Sequence, residues 1–258
     1  MADAKKTPKS AQRKDAKPSG SRRRLGMTLI VAGAVAIVVA GALIFLSQRS
    51  GDSGAGGASA AEVEAGKLAG VKEVEERFAG IPQAGAILGD PGAPVTITEF
   101  ADLRCPACRL FATDYLPTVI DEQIRTGKAK YEFRLWPILG PDSVLAAQAA
   151  IAAQQQDRLF EYQDLWFVNQ QDESKEYATD AYVDGVAQAL GLNLEQFQAD
   201  RQNETLWSPA IQDVQVIAAQ NNFGGTPSFV IAGPGGEKVL TGGVPDPAAI
   251  AAAVDEVS

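Results

Sequence analysis

A chain of 258 residues that is 46% hydrophobic with a formal net charge of −9 has the composition of one medium globular domain with something attached, and it is too apolar to be disordered throughout. It contains no histidine, which removes the usual general base and the commonest metal ligand and excludes Ser-His-Asp and Cys-His hydrolases. The charge is unevenly placed: residues 1–25 hold nine Lys or Arg against two acids, so the remainder is strongly acidic and unsuited to a nucleic-acid partner.

Residues 1–25 read as a basic cytoplasmic arm. The run MTLIVAGAVAIVVAGALIFL at 27–46 contains no charged residue, and twenty residues in a helix cover roughly 30 Å of hydrocarbon. A transmembrane anchor is therefore expected at 26–47. Arg22, Arg23 and Arg24 directly precede it, whereas only Arg49 follows closely. That asymmetry puts the amino terminus in the cytoplasm and the rest of the chain outside the cell membrane, as a single-pass protein held by the lipid bilayer. A cleaved signal peptide is the competing reading. Its apolar region runs to only about 7–15 residues before a small-residue site, and the first such site here, Ala58-Ser59-Ala60, lies well past the span.

Residues 48–80 are expected to form a flexible tether and a short amphipathic stalk. The Gly- and Ser-rich stretch at 47–60 has no apolar periodicity and reaches on the order of 20 Å as a coil. Leu68, Val71, Val74 and Phe78 then recur at helical spacing among charges. The folded domain is expected to begin near Ile81. PVTITEF at 94–100 alternates and is β-branched, and KAKYEFRLWPIL at 128–139 reads as a second strand stopped by Pro137 and Gly140. The segment between them places Leu110, Leu116, Val119, Ile120 and Ile124 at helical spacing and ends at Gly127, which predicts a parallel pair with a helical crossover. Helical patterns without a repeat fill about 142–222. PSFVIAG and EKVLTGG return to strands, and DPAAIAAAVDEV closes with a helix.

The only two cysteines, Cys105 and Cys108, stand at the junction of the first strand and the helix. There the unpaired N–H groups and the positive end of the helix dipole favour a thiolate on Cys105, with Cys108 one turn behind it to close a disulfide. Pro106 suits the first helical turn, where its missing N–H has no partner to lose. A structural zinc site wants four ligands and finds two, so no metal is expected. A purely structural disulfide fits the outer compartment, but closing so short a loop constrains the unfolded chain little. Glu99 precedes Cys105 in the strand; buried there, its carboxyl has a raised pKa and can exchange a proton with Cys108, while the alternative is a solvent-facing strand residue. In GGTPSFVI, Pro227 opens a strand directly after Thr226, a position compatible with a cis bond and with pairing to an extended peptide.

LGDPGAPVTITEFADLRCPACRLF, the Ala-rich insertion with LFEYQDLWFVNQ, and GGTPSFVIAG occur in this order. Together they resemble the DsbA-like thiol:disulfide oxidoreductases of the thioredoxin superfamily, in the membrane-tethered form of Gram-positive bacteria, over residues 81–258. The resemblance implies an α/β thioredoxin fold interrupted by a helical domain. It implies that Cys105 is an exposed nucleophile, Cys108 the buried resolving cysteine, and Thr226-Pro227 a cis-proline loop that binds substrate. It further makes Glu99 the family's buried acid, accompanied by a basic residue on the next strand, for which Lys130 is preferred to Arg134. One departure stands out. The strongly oxidising members carry histidine where this chain has Ala107, so a weaker oxidant is expected, between about −270 mV and about −120 mV. Arg104 is a candidate compensating cation, against the plainer reading of a solvated arginine.

The function that follows is the introduction of disulfides into exported cysteine-containing proteins by the Cys105–Cys108 pair, with no other cofactor. A quinone-linked membrane protein, DsbB-like or vitamin-K-epoxide-reductase-like, would re-oxidise the pair. A reductant or isomerase for particular exported clients, and a tethered binding or chaperone module with a structural disulfide, are the alternatives.

Overall fold

A computed structural model describes residues 68–258. The basic arm, the anchor and most of the tether lie outside the described residues, and among the described residues no helix is long and apolar enough to cross a membrane. The amphipathic stretch forms α1, Val71–Phe78, which starts after Gly70 in a left-handed conformation (φ 83°). Its apolar residues four apart, Val74 and Phe78, are buried. The Phe78 ring centroid lies 6.2 Å from that of Phe160, and Arg77 donates to both carboxylate oxygens of Asp164, at 2.8 and 2.6 Å. The folded body thus begins before Ile81, the start expected from the sequence. Phe78→Ala is expected to cost about 3–5 kcal/mol in urea unfolding of the full chain; a loss below about 1 kcal/mol would mean α1 is a separate stalk.

A hairpin follows, β1 (Gln83–Ala84) and β2 (Ile87–Leu88), turning at Gly85 with φ 60°. It was not foreseen, because strands of two residues carry no readable periodicity. β3 (Val95–Ala101) and β4 (Ala129–Leu135) pair in parallel from Val95 opposite Ala129 to Ala101 opposite Leu135, as the crossover pattern predicts. The crossover is a continuous helical run over 106–124, α2, whose stretches Phe111–Tyr115 and Ile120–Ile124 are wound wider than an α-helix. The N–H of Leu116 donates five residues back to Phe111 O next to Pro117, which has no N–H to give.

The expected insertion comprises α3 (Pro141–Gln154), α4 (Leu159–Val168), α5 (Asp180–Ala189), α6 (Leu194–Gln202) and α7 (Glu204–Gln220). Side chains of Thr179, Asn193 and Asn203 accept backbone N–H groups at the starts of α5, α6 and α7, relieving donors that a helix start leaves unpaired. The chain ends with β5 (Ser228–Gly233), β6 (Gly236–Leu240) and α8 (Pro247–Val257). The sheet order is β1-β2-β4-β3-β5-β6, with β3 antiparallel to β5.

Strand alternation decides what each face carries. Odd-numbered positions of β3 and β4 point toward α2 and α4: the Tyr131 ring lies 6.0 Å from Phe160, and Phe229, opposite Glu99 on β5, lies 4.7 Å from Phe111. Even-numbered positions point toward α7, where Arg134 meets Asp213 at 3.0 Å. β3 is buried along nearly its whole length, so a charged side chain on its odd face enters the core.

Candidate active site

β3 ends at Ala101, and the chain turns through Asp102, Leu103 and Arg104 to Cys105, which caps α2 in extended conformation (φ −74°, ψ 121°). The Cys105 N–H donates to Asp102 O at 2.9 Å, and its carbonyl accepts from Arg109 N–H at 3.1 Å. Pro106 takes the first helical position, as expected, and is exposed, while Ala107 is half-buried. Both sulfurs are free thiols. The exposed nucleophile implied by the resemblance needs correcting in degree: Cys105 keeps 6% of its surface and Cys108 none. The loop before β5 covers it, and when protonated the Cys105 Sγ donates to Thr226 O at 3.3 Å. The Thr226–Pro227 peptide is cis, and Pro227 is buried.

The electrostatics separate the two sulfurs. Cys105 is lowered to about 6, first because the Cys108 thiol donates a hydrogen bond to it; burial opposes this, and the Thr226 side chain and the N–H groups of Cys108 and Ala107 add to it. The backbone donors of the helix terminus, on which the sequence argument rests, are therefore the smaller part. Cys108 is pushed well above the ordinary thiol range, by burial first, then by its hydrogen bond to Cys105 and by the charge of Glu99. At neutral pH Cys105 is mostly thiolate and Cys108 is a thiol.

Glu99 is 1% exposed and lies on the odd face of β3, so the solvent-facing alternative falls. Burial raises its carboxyl to about 8, opposed by a hydrogen bond from Tyr131 and assisted by the charge of Cys105. The Tyr131 hydroxyl donates to Oε2, and the buried Oε1 has no partner. At neutral pH the group is a carboxylic acid.

Two expected neighbours are elsewhere. Lys130 is on the even face of β4, where its ammonium donates to the carbonyls of Pro91 (3.1 Å) and Ala93 (3.2 Å). Arg134, on the same face, pairs with Asp213 and with Glu132. Alternation forbids both from reaching Glu99, and the group that does is Tyr131. Arg104 is neither solvated nor a partner of the thiolate. Buried at 4% exposure, it pairs with Asp142 at 2.7 Å and donates to the carbonyls of Leu139 and Lys175, at 2.8 Å each, and of Glu173. It ties the redox loop to the helical domain.

Sequence reasoning missed the other groups that hold this loop. The buried Asp102 carboxylate accepts from the N–H of Arg104 (2.8 Å), Ile138 (2.7 Å) and Leu139 (3.0 Å) and from Ser143 Oγ (2.9 Å). From α4, Trp166 Nε1 donates to Leu103 O at 2.8 Å, and just beyond it Gln170 Nε2 donates to Leu103 O (2.8 Å) and Cys105 O (3.2 Å). An Asp three residues before a C-x-x-C is a usable signal for a loop-capping carboxylate. The α4 donors lie more than sixty residues away and left no such signal.

A low-pKa sulfur capping a helix behind a parallel strand, a buried partner one turn on and a proline loop against the first define a thioredoxin-type dithiol centre. Comparison with known proteins agrees. The family model described as thioredoxin matches residues 83–254. The chain is 33% identical over 150 residues to the probable disulfide bond formation protein D of Bacillus cereus, covering 57% of this chain and 69% of that protein. The solved structure of a thioredoxin-like oxidoreductase from Silicibacter pomeroyi aligns with a TM-score of 0.55 at 30% identity, over 70% of this chain and 95% of that one. Oxidised BdbD from Bacillus subtilis shares the fold, with a TM-score of 0.59 at 23% identity over 68% of this chain and 96% of its own. The chain belongs to the thioredoxin family, as a DsbA-like thiol:disulfide oxidoreductase.

Proposed function

We propose that this oxidoreductase works outside the cytoplasm, anchored by the span at 26–47, and introduces disulfides into exported proteins through Cys105 and Cys108. The reading is carried by one observation: Cys105 caps α2 against the cis Thr226–Pro227 loop while Cys108 lies fully buried one turn behind it, an arrangement in which the first sulfur is lowered to about 6 and the second is pushed far up. A thiolate stable on Cys105 makes it the better leaving group and favours the reduced pair, which is what makes a disulfide an oxidant. The uncharged run at 27–46 behind Arg22–Arg24 supports the location.

In the proposed cycle a client thiolate attacks the Cys105 sulfur of the disulfide, and the bond to Cys108 breaks. Cys108 leaves as a thiolate and takes a proton from Glu99. The client, held through Cys105 against the Thr226–Pro227 loop, is then attacked at its own sulfur by its second thiolate, and Cys105 departs as a thiolate. Two electrons have passed from the client to the pair, and a quinone-linked membrane protein, DsbB-like or vitamin-K-epoxide-reductase-like, takes them on. No cofactor beyond the pair is required.

One observation favours the opposite direction enough to be tested with it. A value of about 6 for Cys105 is nearer the roughly 7 of thioredoxin than the roughly 3.5 of DsbA. The test uses the oxidised full chain in detergent micelles with a reduced, multi-cysteine exported protein, following loss of client thiols against one enzyme equivalent. Stoichiometric oxidation of the client is expected. If the pair instead equilibrates with glutathione at or below about −270 mV, the thioredoxin value, and leaves the client reduced, the oxidase reading fails in favour of a reductant.

A further inference from the structure

The core behind the cysteines holds a hydroxyl that the cycle above leaves without a task. Tyr131 is fully buried, and among the described residues its only hydrogen-bond partner is Glu99 Oε2. Burial, together with the charge and the accepted hydrogen bond of Glu99, pushes its phenol well above the ordinary range, so it stays protonated and can only donate to that carboxyl. Among the described residues Glu99 has no cationic partner, since Lys130 and Arg134 are occupied on the opposite face of the sheet. A carboxylate formed in this buried core must be stabilised by something, and an uncharged O–H is the group the fold supplies.

We propose that the Tyr131 hydroxyl is the fixed donor that lets Glu99 release and recover the proton of Cys108, a positioning role exercised through Glu99 on the resolving sulfur. The inference rests on the proposed cycle and adds to it. When Cys108 leaves as a thiolate, the proton moves from Glu99 to sulfur, and the carboxylate left behind keeps the Tyr131 hydrogen bond. When Cys108 must attack a mixed disulfide on Cys105, the proton returns to Glu99 along the same path and no net charge is buried. Without the hydroxyl the carboxylate is less stable still, and Glu99 holds its proton to a higher pH than it does beside Tyr131.

The groups facing this pair are few. From the first turn of α2 come Cys105 and Cys108, which raise Glu99 and Tyr131 respectively, and from α4 comes Asp164, which raises Tyr131 and is itself paired with Arg77 of α1. Tyr131→Phe removes one oxygen from a packed ring and leaves all of these in place.

The test uses the full chain in detergent with a glutathione adduct formed on Cys105 and measures its release by Cys108 as a function of pH. Tyr131→Phe is expected to slow release at pH 7 by about tenfold and to move the profile about one unit alkaline, one unit being a factor of ten. The ¹³C signal of the Glu99 carboxyl is expected to titrate above its wild-type midpoint near 8. The alkylation midpoint of Cys105 stays where it was, and in a Glu99→Gln background Tyr131→Phe changes release no further. An unmoved profile in Tyr131→Phe, or an equal slowing in the Glu99→Gln background, overturns the role of Tyr131 while leaving the cycle standing. Failure of Cys105 to form the adduct at all overturns the cycle, and the inference with it.

Discussion

Replacing Cys105 by serine is expected to reduce client oxidation to the level of a solution without protein, because the hydroxyl can neither form the mixed disulfide nor leave as a stable anion. Cys108→Ala is expected to behave differently: its Cys105 thiolate attacks a client that already carries a disulfide, releases one client sulfur as a thiolate and holds the other in a disulfide on Cys105 that is not resolved from within. It should also capture them more slowly. The Cys108 thiol is the largest cause of the low value at Cys105, so its loss moves that sulfur back toward the ordinary thiol range. Near pH 7 a rise of the midpoint from about 6 to about 8 would cut the thiolate fraction roughly tenfold. Non-reducing gels with mass-spectrometric mapping of the adduct check both variants. Client oxidation persisting in Cys105→Ser, or adducts mapping to Cys108, would remove the assignment of roles.

Glu99→Gln should leave a protein that is more stable than the parent at alkaline pH. The folded-state value of about 8 lies above the ordinary 4.5, so across this window the native protein keeps a proton that the unfolded chain has released. The contribution of Glu99 is complete below 4.5, falls as pH rises, and is lost above about 8. At 1.36 kcal/mol per pH unit the whole window is worth on the order of 5 kcal/mol, comparable with the total stability of a small domain. Cys105 works in the opposite sense. Its lowered value of about 6 against 9 adds stability to the reduced protein as pH rises between them, so the two slopes partly cancel in the parent. The difference between Glu99→Gln and parent isolates the acid. Urea midpoints of the reduced proteins at pH 5 and pH 9 measure it; a gap that does not widen toward pH 9 would mean that Glu99 ionises as it does in water.

The parts of the site that sequence made legible are those set by local chemistry. β3 and β4 alternate, the C-x-x-C sits where a strand hands over to a helix, and Thr226-Pro227 opens a strand, so each could be placed without knowing the others. What was hidden depends on groups that meet only when the chain is folded. Arg104 reads as a surface cation until the carbonyls of Glu173 and Lys175 are brought to it. Lys130 and Tyr131 are adjacent in sequence and on opposite faces of β4, and only the register of β3 against β4 decides which of them meets Glu99. A buried tyrosine needs a partner for its hydroxyl, and that rule applied to Tyr131 would have pointed the right way. The hairpin of β1 and β2 is held by its pairing with β4, a tertiary contact that four residues cannot announce.

The central claim is that Cys105 is an anion at neutral pH and reachable by other thiols although only 6% of its surface is open. Its direct measurement is the rate of alkylation of the reduced full chain by iodoacetamide between pH 4 and pH 10, with the modified residue identified by mass spectrometry. The expected result is modification at Cys105 alone, with a midpoint near 6. A midpoint near the 9 of an ordinary thiol, or no modification of the folded protein at any pH, would contradict it.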